Sequence, residues 1–95
     1  GENISPTEVE SVINRFEGVA ESSVIGLPDD QWGERVAAVV VTRPEFKGKP
    51  EDIRQFCKQH LHNWKCPKEV LLVDALPRNT MGKVLKEQLK KLFTD

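Results

Sequence analysis

The chain has 95 residues and a mass of 10.8 kDa, enough for one hydrophobic core and too few for two. Lys and Arg number 14 against 15 Asp and Glu, so a net charge of −1 gives no general attraction to nucleic acid or anionic lipid. Two cysteines exclude a disulfide-rich secreted scaffold, and the longest apolar run, Val36–Val41, is far too short to span a bilayer. No charged-then-apolar leader opens the chain. These features lead us to expect a soluble, cytoplasmic domain.

The near-neutral charge hides an asymmetry. Residues 1–48 hold four bases against nine acids, and residues 49–95 hold ten bases against six acids. The split reads either as chance plus a solvated helix face, or as a basic half that meets an anionic ligand.

In chain order, Gly1 to Ile4 is a leading loop. Ser5 is a candidate N-cap, Pro6 suits the first helical position, and Glu8 is placed to complete a capping box. Ile4 and Val9 have the spacing of a hydrophobic staple across that cap. Val9, Val12, Ile13 and Phe16 then recur at helical spacing, which predicts a helix over 6–16 ending before Gly18. Val19 to Leu27 reads as a strand, closed by the turn signal Gly26-Leu27-Pro28-Asp29-Asp30. Glu34 to Thr42 reads as a second strand, and its unbroken apolar run suits burial on both faces. Pro44, Gly48 and Pro50 mark a loop. A helix over 51–61 follows, with Glu51 and Asp52 in its first turn and Ile53, Phe56, Cys57 and Leu61 as its apolar stripe. A short strand over 69–73, a polar loop over 76–82 and a last helix over about 84–93 complete the chain. That helix is expected to bury Val84 or Leu85, Leu89, and Leu92 or Phe93, with Lys86, Lys90 and Lys91 on its other face. The order predicts an α+β fold, a small sheet of about three strands packed with helices.

The chemically suggestive stretch is Leu76-Pro77-Arg78-Asn79-Thr80-Met81-Gly82-Lys83-Val84. Gly82 permits close backbone approach, and Lys83 presents a mobile point charge suited to a phosphate or carboxylate oxygen. A phosphate-cradling loop of Walker type is excluded, because Pro77 and Val84 stand where it needs Gly and Ser or Thr. Taken alone, a Gly-Lys pair is more often a solvated loop lysine. Cys57, His60, His62 and Cys66 are all zinc-ligand types, but Cys57 also fits the apolar stripe, and no metal site is assigned. Trp64, flanked by Lys65 and Lys68, is either a packing anchor or an aromatic plane for a phosphorylated adenine nucleotide.

Four stretches together resemble one family, the AMP-forming acyl- and aryl-CoA synthetases of the adenylate-forming superfamily. They are Gly1 to Glu10, Leu27 to Glu34, Trp64-Lys65-Cys66-Pro67-Lys68 and Pro77 to Val84, in the family's order across essentially the whole chain. The resemblance implies that residues 1–95 are the small C-terminal lid of a two-domain ligase, the large ATP- and acid-binding domain lying outside this sequence. Its two steps would be carboxylate plus ATP to acyl-adenylate and pyrophosphate, then displacement of AMP by the CoA thiol. Lys83 matches the lysine of the first step. Gly1 and Glu2 match the loop swung to the pantetheine tunnel in the second, and Trp32 an aromatic implicated there. Trp64, Lys65 and Lys68 match a patch that receives the CoA nucleotide. Mg²⁺ would accompany ATP on the large domain.

Two positions depart from relatives. Cys66 stands where some have an arginine that pairs with CoA phosphate, which would shift CoA binding onto Lys65 and Lys68. Asn3 stands where acetyl-type relatives have arginine. The hinge residue is expected upstream of Gly1. The alternatives are the lid of an adenylation domain that loads a carrier protein and, from a different class, a free-standing binding module without catalysis.

Overall fold

The computed structural model describes residues 5–31 and 33–93. The elements are α1 (Pro6–Ile13), β1 (Val19–Asp29), β2 (Gly33–Thr42), α2 (Pro50–His60), β3 (Glu69–Val73) and α3 (Lys86–Lys90). The expected α+β class and its three-stranded sheet are borne out. The strand order is β1-β2-β3, with β1 antiparallel and β3 parallel to β2. A parallel pair cannot be joined by a tight turn, and α2 supplies the crossover from β2 to β3.

Strand β2 is central because its run of small and β-branched residues can be covered on both sides. Val36, Ala38 and Val40 face one cluster with Val9, Val12 and Ile13 of α1 and Ile53 and Cys57 of α2. Ala37 and Val39 face a second cluster with Ile25, Leu27, Leu76 and Leu89. Two helices thus cover one face of the sheet, and the C-terminal segment covers the other.

Several boundaries differ from the sequence expectation. Helix α1 stops at Ile13 rather than 16, because the chain tightens into i→i+3 bonds from Arg15 N–H to Val12 C=O (3.1 Å) and Phe16 N–H to Ile13 C=O (3.0 Å). Phe16 still packs inward, edge-on to Phe56 with centroids 5.4 Å apart. Ser5 Oγ caps α1 by accepting from Glu8 N–H (3.3 Å), but the Glu8 carboxylate turns to Lys65. Ile4, the expected staple partner, lies outside the described residues. Strand β1 continues through Pro28 and Asp29, which pair with Glu34 and Gly33, so the turn is shorter than expected. The last helix begins at Lys86, not Val84. Val84 instead bridges antiparallel to Arg78, and a 3-10 turn at Lys91–Phe93 follows α3. Leu89 is buried and Phe93 packs against the core, while Leu92 is exposed.

Candidate functional site

Lys83 sits at the base of a small hairpin-like loop built by Asn79. Gly82 N–H donates to Asn79 C=O (3.0 Å), closing a tight turn, and Gly82 holds a φ of +85°, which an L side chain rarely adopts. Asn79 Oδ1 accepts from both Met81 N–H (2.9 Å) and Lys83 N–H (3.0 Å), and Asn79 N–H donates to Lys83 C=O (2.9 Å). One asparagine therefore fixes the backbone of Lys83 from two directions. Leu85 N–H donates to Pro77 C=O (2.9 Å), closing the loop's base, and Leu76 and Leu89 anchor its flanks in the second core cluster. The Lys83 side chain is exposed, and among the described residues its ammonium has no carboxylate partner. An exposed cation on a braced turn can meet an external anion without first breaking an internal pair.

The second group of expected residues gathers elsewhere. Trp64 lies in a 3-10 turn (Asn63–Lys65) after α2 and is 43% exposed, unlike a core tryptophan. Lys65 Nζ lies 5.3 Å from the Trp64 ring centroid and pairs with Glu8 at 3.0 Å, so its charge is already engaged. Lys68 donates its backbone N–H to Val36 C=O (2.8 Å), which ties this segment to β2 and leaves the exposed side chain at the mouth of a cleft. Trp64 and Lys68 line that cleft with Asp29, Gln31, Glu34 and Arg35 from the β1–β2 turn. Arg35 donates to Pro28 C=O and stands 3.6 Å from the Glu69 carboxylate. Arg35 falls at the start of a strand, where no local pattern marks it, and only the fold sets it along the same cleft as Trp64 and Lys68. Gly1, Glu2 and Trp32, expected to serve the thiol-transfer step, lie outside the described residues.

Of the cysteine–histidine group, Cys57 and Cys66 share the first core cluster. Cys57 and Cys66 are buried in the core beside α2, and burial pushes the Cys57 thiol up to about 11. Cys66 Sγ faces the carbonyls of Leu61 and His62 (3.9 and 3.5 Å), and burial raises its pKa as well. His60 packs against Phe56, ring centroids 4.4 Å apart and planes tilted by 46°. Among the described residues no three or more His, Cys, Asp or Glu side chains are grouped to hold a metal ion.

The segments that carry the two candidate regions pack on opposite faces of the sheet: Cys66, beside Trp64, belongs to the first core cluster, whereas Leu76, Val84 and Leu89, around Lys83, belong to the second.

Comparison with known proteins matches this arrangement to one family. The family of AMP-binding enzyme C-terminal domains matches residues 8–83. The long-chain-fatty-acid–CoA ligase FadD13 of Mycobacterium tuberculosis is 43% identical over 94 residues, covering 99% of this chain and 18% of that protein. The fatty acid–acyl-carrier-protein ligase ScoC of Streptomyces coeruleorubidus is 41% identical over 93 residues, covering 98% of this chain and 18% of its own length. Among solved structures, apo MatB from Rhodopseudomonas palustris superposes with a TM-score of 0.93 at 43% identity, covering 100% of this chain and 19% of that one. The chain belongs to the AMP-binding enzyme C-terminal domain family. It spans about a fifth of the length of the relatives it matches.

Proposed function

We propose that residues 1–95 act as the mobile lid of an AMP-forming acyl- or aryl-CoA ligase, which joins a fatty or aromatic carboxylic acid to CoA through an acyl-adenylate. The carrying observation is Lys83: an exposed ammonium, without a carboxylate partner among the described residues, on a turn that Asn79 and Gly82 hold rigid. In the first step, carboxylate oxygen attacks the α-phosphorus of ATP and pyrophosphate leaves. Negative charge from two anions crowds together there, and a positioned cation stabilises it at little reorganisation cost. Lys83 supplies that cation. Mg²⁺ and most contacts to ATP are assigned to the large domain.

Trp64 and Lys68 form the CoA-nucleotide side, the ring stacking on adenine and the ammonium meeting phosphate. Lys65 steadies the Trp64 ring while paired to Glu8. Gly1, Glu2 and Trp32 are proposed to guide the thiol arm. The placement of the two segments on opposite faces of the sheet supports a lid that presents them in turn.

The test uses the full-length enzyme. Lys83→Ala lowers ATP–pyrophosphate exchange by about 100-fold or more and leaves thioester formation from supplied acyl-adenylate near the wild-type rate. Equal loss of both half-reactions removes the assigned role. A second reading, a carrier-protein phosphopantetheine as the thiol, is favoured by the likeness to ScoC. Single-turnover transfer to free CoA against transfer to holo-carrier separates the two.

A further inference from the structure

The segment that carries Lys83 is tied at both ends to the outer edge of β1. Before the turn, the Arg78 guanidinium donates from Nη1 to Gly82 C=O (2.7 Å) and pairs through Nη2 with Glu21 of β1. It thus bridges the residue adjoining Lys83 to the sheet. After the turn, Lys86 Nζ donates to Val24 C=O (3.1 Å), and Val24 N–H donates to Glu10 Oε2 of α1 (2.8 Å). Lys86 and Glu10 stand 3.8 Å apart, closing a ring over the strand. Val24 points both backbone groups away from β2, where an edge strand would leave them to water or to another chain. Here an acid from α1 and a base from α3 take them instead.

We propose that Arg78 and Lys86 are positioning residues for Lys83, acting with Glu21 and Glu10 to transmit the orientation of β1 to the adenylation lysine. The inference rests on the proposed role of Lys83. Stability alone gives little reason for the Arg78–Glu21 pair: both side chains are more than a third exposed (41% and 37%), and such pairs contribute little to folding. Its geometry has a different use. The turn around Lys83 is small and exposed, and its flanks reach the core through Leu76 and Leu89, with half-buried Val84 against the same cluster. Without the struts it would pivot on those apolar anchors. A charge that must meet a developing transition state loses about 100-fold in rate for a displacement near 1 Å. Two struts on opposite sides of Lys83 remove that pivot.

The experiment compares Arg78→Glu, Glu21→Arg and the double exchange in the full-length enzyme, with Lys86→Met as a second probe that keeps most of the aliphatic stem. ATP–pyrophosphate exchange, thioester formation from supplied adenylate, and the thermal midpoint are measured for each. Arg78→Glu is expected to lower the kcat of exchange about 10- to 100-fold, with KM for ATP and the second half-reaction within about twofold of wild type. The double exchange restores part of the lost kcat, because it rebuilds the ion pair between loop and β1 with its charges reversed while Gly82 C=O stays without its donor. Lys86→Met lowers exchange in the same selective way. Unchanged exchange in Arg78→Glu and Lys86→Met overturns the proposal, as does equal loss in both half-reactions or failure of the exchanged pair to rescue. Lys83→Ala run in parallel separates the layers. If it retains exchange, the reading of Lys83 falls. If it loses exchange while the strut variants do not, only the positioning role falls.

Discussion

Gly18 and Gly82 share a left-handed backbone, with φ of +93° and +85°, but their surroundings differ. A Cβ at Gly18 would lie 2.9 Å from the backbone of Phe46, while one at Gly82 meets nothing within 4 Å. Gly82→Ala therefore carries only the backbone penalty, ~1 kcal/mol, whereas Gly18→Ala adds a clash with a packed loop and costs ~3 kcal/mol. Urea denaturation of the 95-residue chain ranks the two, and equal costs would show that the Gly18 loop yields. Cys57 offers a pH-dependent test. Its thiol is raised from the ordinary 9.0 to about 11, first by burial and then by the nearby Cys66. The folded state therefore holds this proton more tightly than the unfolded chain. Its contribution is fully present below pH 9 and is lost as pH climbs toward 11, by roughly 2 kcal/mol. Denaturation from about pH 8 to 11 should show that loss in wild type and a flatter profile in Cys57→Val.

At the scale of elements, β2 decides the architecture. Val39 and Val40 are adjacent and fully buried but face opposite clusters. Val→Ala at either site costs ~2 kcal/mol, yet the looseness should appear in different places. Hydrogen exchange should speed up around Leu76 and α3 for Val39→Ala, and around α1 and α2 for Val40→Ala. Matching exchange patterns would mean that the two faces unfold as one unit. The burial of β2 was legible beforehand, since an unbroken Val-rich run has no polar side to show solvent. Ser5 as the cap of α1 and Pro50, Glu51 and Asp52 in the first turn of α2 were legible because those signals are local. The start of α3 was not. Val84 and Leu85 continue its apolar spacing, but Val84 is drawn into a bridge with Arg78, a contact six residues back that periodicity cannot register. The site divided along the same line. Gly82-Lys83 announces itself locally, whereas Arg78, Glu21, Glu10 and Lys86 meet through contacts 57 to 76 residues apart (Arg78–Glu21, Lys86–Glu10) that only the fold supplies.

For the molecule as a whole, the charge split gains a meaning that neither sequence reading held. Lys65–Glu8, Arg78–Glu21 and Lys86–Glu10 each join a base of the second half to an acid of the first. Part of the asymmetry is thus satisfied inside the chain, and Lys83 and Lys68, in the basic half, are among the cations with no carboxylate partner among the described residues. They belong to segments that pack on opposite faces of the sheet. A rigid domain cannot bring both to one reacting centre at once, so their losses should fall on different steps. Trp64→Ala combined with Lys68→Ala should raise KM for CoA by about 10-fold or more, the scale of one lost base stack, and leave ATP–pyrophosphate exchange within about twofold. Adding Lys83→Ala to that pair should abolish exchange without further change in KM for CoA, measured from supplied adenylate. Steady-state kinetics of the full-length variants in both half-reactions make the comparison. If exchange falls with the Trp64 and Lys68 changes as it does with Lys83→Ala, the two regions serve a single presentation of the lid, and the alternation drawn from their separation is wrong.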